Sequence, residues 1–329
     1  MRKLIAALLL VLMTGNACFG WNDLGHKIVA SIAWRQLDND ERDKIIALLS
    51  KHPRFAEDFS GRMPVAIVEG SLATKNEWLI QQAAVWPDIA RGFPGQLKSK
   101  YHRANWHYIN QPMFLTAEDR AALEAGLDLN LKLDPPATAE KSMNVVQMLR
   151  LARQTLKDDT ADDQQQALML AWLLHGGGDL HQPMHSTALF SRNLFSLGDR
   201  GGNQIHTSQR SNLHSLWDTF PGTGGFREAR NFSFVMTTDE EFKALGLAAA
   251  AELDEKKWLD ESHHIATNTA YGPEILSPVR LMEEDSDTEY PPITLTEDYL
   301  QAGGRVADRR LVQAGYRLGA ILKQVAADN

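Results

Sequence analysis

Cysteine is nearly missing from this 329-residue chain: Cys18 stands alone, inside an apolar N-terminal segment. Disulfides and thiolate metal ligands are therefore excluded from any mature form that lacks the segment. Long apolar runs are missing too. The one candidate, Ile5 to Met13, is far short of the roughly 20 residues that a membrane helix needs. Arg2 and Lys3 precede it, and the small and polar stretch Thr14 to Gly20 follows, which is the layout of a secretory signal cleaved after Gly20. The alternative reading is a buried N-terminal helix. Lipidation at Cys18 is disfavoured, because Gly15-Asn16-Ala17 lacks the leucine expected three residues ahead of it. The expected organisation is thus a leader over 1–20 and an exported, soluble catalytic chain over 21–329, either periplasmic or released.

Excess positive charge is the third absence. Lys and Arg number 34 against 42 Asp and Glu, for a formal charge of -8, and removal of Arg2 and Lys3 takes it to -10. Wrapping duplex DNA by neutralising phosphates needs the opposite balance. Bound divalent cations reverse the sign locally, so the charge excludes a basic groove but not a metal-centred active site.

Apolar spacing indicates an all-α chain forming one compact helical domain, loosely a bundle. Helices are expected over 28–49 with a break near Asn39 and Asp40, over 74–85 ending before Pro87, and over 117–131 and 139–156 around the Pro135-Pro136 turn. Further helices are expected at 165–174, 242–253, 256–270 and 296–325. Loops are expected at 196–203, 221–225 and 283–292. No sustained alternation suggests a sheet, and no internal repeat is present.

The chemistry concentrates in His175-Gly-Gly-Gly-Asp179-Leu-His181-Gln-Pro-Met-His185. Imidazole and carboxylate are the ligands zinc takes where thiolate is lacking. A helix running through the glycines puts His175 and Asp179 on one face at i and i+4. A loop there leaves the ligand chemistry but removes that geometry. His214-Ser-Leu-Trp-Asp218 repeats the spacing, although such a pair on its own is commonly a surface helix contact. Trp86-Pro-Asp88-Ile-Ala-Arg91 offers a carboxylate and a guanidinium, with a plain N-cap as the competing role for Asp88. His107, in Asn105-Trp-His-Tyr108, reads equally well as a satisfied, partly buried histidine. Cleavage after Gly20 would give Trp21 a free amine of pKa about 7.7 to 8, able to bind a metal together with its own carbonyl. His26 stands five residues further on.

Taken in order, these segments resemble the S1/P1 nuclease family, zinc-dependent enzymes that prefer single strands and share the fold of zinc phospholipases C. The resemblance rests on W-x3-GH at 21–26, WPDxxR at 86–91, WHY at 106–108, GD-x-HQP-x-H ending at His185, GGN at 201–203 and LHxxWD at 213–218. It implies three zinc ions. Asp88, His107, His175 and Asp179 would hold one, and Trp21 and His26 would hold a second, with Asp179 bridging the two. His185, His214 and Asp218 would hold the third. Two metals roughly 3.5 to 4 Å apart activate water for in-line attack on phosphorus. Arg91 matches the position that neutralises the phosphoryl charge, its competing role being an ion pair with a ligand. Tyr108 falls where a base stacks, or else packs in the core, and Asn110 falls where the base edge is read. The implied reaction cuts single-stranded DNA or RNA to 5'-nucleotides, with 3'-nucleotidase activity beside it and no protein partner. A zinc phospholipase C and a non-catalytic zinc protein are the alternatives. His181 and the pair His263-His264 take no ligand role in either reading.

Overall fold

Helix starts follow side-chain caps. The computed structural model describes residues 20–328, so the proposed leader lies outside the described residues except for Gly20. Helix α1 (Asp23–Arg35) begins behind Asn22, whose side chain accepts from the Gly25 amide. Asp38 and Glu41 form a reciprocal capping box at the start of α2 (Asn39–Leu49), which is the expected break. The short α3 (Val65–Val68) leads to α4 (Leu72–Arg91) and α5 (Gly95–Tyr101). Helix α4 does not end before Pro87. The proline lacks only the amide that would reach one carbonyl a turn earlier, and the burial of Trp86, Pro87 and Ala90 carries the helix past it.

Strand β1 (Gln111–Phe114) precedes α6 (Ala117–Leu123), which is shorter than its apolar pattern suggests. One 3-10 turn ends it at Gly126, and Leu127, Leu129, Leu131 and Leu133 then alternate with polar residues along irregular chain. Helix α7 (Val145–Leu156) starts six residues later than expected, where Asn144 and Gln147 make a second capping box. Helix α8 (Asp163–His181) runs unbroken through the three glycines, so the i,i+4 geometry of His175 and Asp179 holds. Strand β2 (Thr187–Phe190) and α9 (Leu213–Asp218) follow. The chain closes with α10 (Phe226–Thr238), α11 (Glu240–Ala250), α12 (Glu255–Ile265), α13 (Pro273–Glu284) and α14 (Glu297–Asp328).

Helix α8 is the structural axis, packed against α7, α4, α14 and α1. Each glycine costs roughly 1 kcal/mol relative to alanine in a helix. Close packing accounts for them: a β-carbon on Gly177 would stand 2.7 Å from Leu318, and one on Gly178 would stand 2.8 Å from Nδ1 of His26. At the far end, Arg310 and Arg317 of α14 are buried and share Glu261 at 2.6 and 2.7 Å. Arg310 also donates to the carbonyl of His181 at 3.1 Å, and Arg317 to its Nε2 at 2.8 Å. This network fixes the end of α8 from which the chain turns toward His185.

The strands β1 and β2 pair in parallel, from Gln111 opposite Thr187 to Phe114 opposite Phe190. Four residues with continuous burial, as in β2, carry no period-2 signature, so the sequence could not distinguish them from helix. The pairing extends backward, with the Ile109 amide donating to the His185 carbonyl at 2.8 Å. It thereby aligns the segment after His107 with the segment after His185.

Candidate metal centre

Three groups of buried histidine and aspartate come together: His26 with His175 and Asp179, Asp88 with His107 and His175, and His185 with His214 and Asp218. Within each group one ligand atom per residue lies within 4.8 Å of the others. Helix α8 supplies the hub. Oδ2 of Asp179 is 3.0 Å from Nδ1 of His107 and 3.1 Å from Nε2 of His175, while Oδ1 faces Nε2 of His26 at 3.4 Å. The rings of His26 and His175 stack 4.0 Å apart, so His175 reaches both of the first two groups.

Backbone carbonyls set the tautomers. Nδ1 of His175 lies 2.7 Å from Ala84 O, Nδ1 of His185 lies 2.5 Å from His107 O, and Nδ1 of His214 lies 2.7 Å from Gly201 O. A carbonyl only accepts, so each Nδ1 carries the hydrogen and each neutral ring turns a bare Nε2 inward. The Nε2 atoms of His185 and His214 then face each other at 3.0 Å. Two lone pairs at that separation repel unless a cation or a proton sits near both. Both ring nitrogens of His26, Nε2 of His107 and Oδ1 of Asp179 are buried without hydrogen-bond partners. Leaving such atoms unmet costs about 1 to 3 kcal/mol each. The donor set, its burial and its unmet lone pairs fit divalent metal ions.

Electrostatics agree. Burial opposes charge on Asp179, but His175, His185 and His107 around it hold its carboxyl well below the usual range. Burial likewise works against a charged His175, and Asp179 and Asp88 overcome it, pushing the imidazole up to about 9.

The remaining sequence candidates fall as follows. Trp21 is fully buried, and a β-carbon on the preceding Gly20 would collide with Oδ1 of Asp179 and stand 2.9 Å from Nε2 of His26. The 20–21 junction therefore lies against the first group. Arg91 pairs with Oδ1 of Asp88 at 2.8 Å, the ion-pair role weighed as its alternative. Tyr108 and Asn110 line a cavity of about 390 Å³ with Asn105, Asn130 and Asn144, and the Tyr108 hydroxyl donates to Asn105 at 3.0 Å. His181 turns away toward Arg317, and its Nδ1 donates to Gly177 O at 2.7 Å. His263 meets Thr187 at 2.8 Å, outside the three groups. The sequence reading gave no role to Gln182, whose amide donates to Oδ1 of Asp218 at 2.6 Å and orients that carboxylate. Its place in the GD-x-HQP-x-H run was the signal available.

Close packing at Gly178 is directly testable. Gly178→Ala should displace His26 and weaken metal retention by about tenfold or more, as loss of a ligand's supporting contacts does. Chelator competition measures this, and unchanged retention would mean that His26 has room to give.

A mostly helical scaffold that gathers three buried His/Asp groups, each able to hold a metal ion, defines a class of candidate multi-metal proteins. The S1/P1 nuclease family model matches residues 21–327, and the chain belongs to that family. It is similar to Endonuclease 2 of Arabidopsis thaliana, 24% identical over 319 residues that cover 93% of this chain and 90% of that one. It is also similar to Nuclease S1 of Aspergillus oryzae, 22% identical over 335 residues and 99% of both chains. Endonuclease 4 of Arabidopsis thaliana is 22% identical over 99% of this chain and 95% of its own. No helix among the described residues is long and apolar enough to cross a membrane.

Proposed function

We propose that this chain is exported, is cleaved after Gly20, and hydrolyses single-stranded DNA or RNA to 5'-nucleotides, with 3'-nucleotidase activity at the same site. The convergence of buried His and Asp ligand atoms into three groups, with the Nε2 atoms of His185 and His214 facing each other at 3.0 Å, is the observation that carries the reading. Three zinc ions would be held by the side chains of the three groups, with the amine and carbonyl of Trp21 completing the set at His26. Zinc bound there supplies Lewis-acid polarisation of phosphoryl oxygens and lowers the pKa of water toward neutrality. Three dications outweigh the ligand carboxylates Asp88, Asp179 and Asp218, which makes the site attractive to phosphate within an acidic protein.

The chain's own groups do the rest. Asp88 orients the Arg91 guanidinium, which is placed to share charge that develops on the phosphoryl oxygens. Tyr108 offers a face for a base, and Asn110 beside it offers both a donor and an acceptor to a base edge. Paired duplex hides base faces, so single strands are preferred. Tyr108→Ala should raise KM for single strands roughly 5- to 150-fold, the equivalent of about 1 to 3 kcal/mol of stacking. Hydrolysis of a small activated phosphodiester should hardly change, and equal losses on both substrates would assign Tyr108 to packing alone.

The deciding assay compares single-stranded DNA, RNA, duplex DNA and a choline phospholipid, before and after metal stripping and zinc return. Zinc-restored cleavage of single strands is the expected result. Activity confined to the lipid would make the protein a phospholipase C instead.

A further inference from the structure

The turn between β2 and α9 concentrates unusual backbone. Gly198, Arg200, Gly201 and Gly202 have φ of +83°, +59°, +62° and +83°, and Arg200 is the only non-glycine residue with positive φ among the described residues. An L residue in that region costs about 1 to 2 kcal/mol, and it persists only where its surroundings dictate it. Those surroundings centre on Asp199, which is fully buried. Oδ1 accepts the Leu189 amide of β2 at 2.9 Å. Oδ2 accepts the Gly202 amide at 2.9 Å and the Tyr271 hydroxyl at 2.7 Å. The Asp199 amide returns to Leu189 O at 2.9 Å. Neither following glycine could carry a side chain: a β-carbon on Gly201 would collide with Met184 O, and one on Gly202 would stand 2.6 Å from the Met184 methyl.

The turn delivers two carbonyls to one histidine. Gly201 O meets Nδ1 of His214 at 2.7 Å, and Gly202 O meets the His214 amide at 3.4 Å. With both carboxylate oxygens engaged by donors, Asp199 serves the turn and is not itself a ligand. Burial raises its carboxyl to about 6 against the pull of those donors, so core packing alone gives no reason for an acid there.

We propose that Asp199, keyed by the Tyr271 hydroxyl, is a positioning residue for the third metal group: it fixes the Gly201 carbonyl that keeps the His214 proton on Nδ1 and leaves Nε2 bare toward His185 and Asp218. The inference rests on reading that group as a metal site. Asp199→Asn keeps the shape but turns an amide toward groups that themselves donate. The Gly201 carbonyl is then no longer fixed, whereas the Asp179 hub is untouched.

The test counts zinc by native mass spectrometry and measures retention against graded chelator, using the mature chain and its Asp199→Asn, Tyr271→Phe and His214→Ala variants. Asp199→Asn should bind two ions normally and the third about 10- to 100-fold more weakly. Tyr271→Phe should weaken the same ion to a smaller degree, and it carries the test if Asp199→Asn does not fold. His214→Ala should lose that ion outright. Wild-type retention of all three ions in both Asp199→Asn and Tyr271→Phe, or equal weakening of all three, would overturn the positioning role. An ion count that is the same in wild type and His214→Ala would instead overturn the metal reading of the group.

Discussion

A chain carrying one extra residue ahead of Trp21 is expected to bind less zinc than the chain that starts at Trp21, and to lose about 100-fold or more in phosphodiester hydrolysis. A free amine has a lone pair to give a metal once deprotonated, whereas a peptide nitrogen has committed its pair to resonance. The space is also restricted, because residue 20 stands against Asp179 and His26 with room for a hydrogen and nothing larger. Glycine and alanine extensions separate the two effects. The glycine form removes the amine alone and should lose the ion at His26 while keeping the one at His185, His214 and Asp218. The alanine form adds a methyl that collides with Asp179 and should also weaken the ion at Asp88 and His107. Loss of a direct ligand should reach at least the upper end of the 10- to 100-fold penalties seen for supporting residues. Full zinc content in the glycine form would remove Trp21 from the ligand set.

Asp179→Asn should have the largest effect of any single substitution. One carboxylate touches His26, His107 and His175, with no solvent to replace it. Asparagine has nearly the same shape but no charge, so two of the three proposed ions would lose their shared anion together. Activity should fall by roughly 1000-fold or more, equivalent to about 4 kcal/mol of barrier. The third ion should be affected least, since Asp179 is not a member of the His185, His214 and Asp218 group and meets only His185 of it, at 3.9 Å. Stability provides an independent check. Zinc at a hundredfold excess over Kd stabilises a folded chain by about 2.7 kcal/mol per site, and most of that thermal shift should vanish in Asp179→Asn. The metal-free variant should be less stable than the metal-free parent, because the buried Asp179–His175 pair loses its anionic partner. A variant with three ions and an undiminished thermal shift would disprove the bridging role.

The candidate ligands were legible because their chemistry is conspicuous: His175, Asp179 and His185 crowd one segment, and His214 and Asp218 repeat the spacing. The groups that orient them were not. Ala84, His107 and Gly201 act through carbonyls, which every residue possesses, so the motifs at 106–108 and 201–203 did not reveal this orienting role and nothing marked Ala84 at all. Helix starts at Asn39 and Val145 carry readable caps, yet the apolar pattern ahead of Val145 suggested an earlier beginning. Helix α4 outlasts Pro87 because burial outweighs one missing hydrogen bond. Helices α10 and α13 lie outside the sequence reading, the latter containing Pro278, and the four-residue strands are too short to announce themselves. The leucines at 127, 129, 131 and 133 alternate over a stretch expected to be partly helical, where the chain is irregular.

Anomalous diffraction at the zinc edge, from crystals of the chain beginning at Trp21, tests the central claim most directly. Three peaks are expected: two flanking Asp179, one of them beside the Trp21 amine, and a third between His185, His214 and Asp218. An empty space between the Nε2 atoms of His185 and His214 in zinc-replete crystals, or peaks only at other histidines, would contradict it.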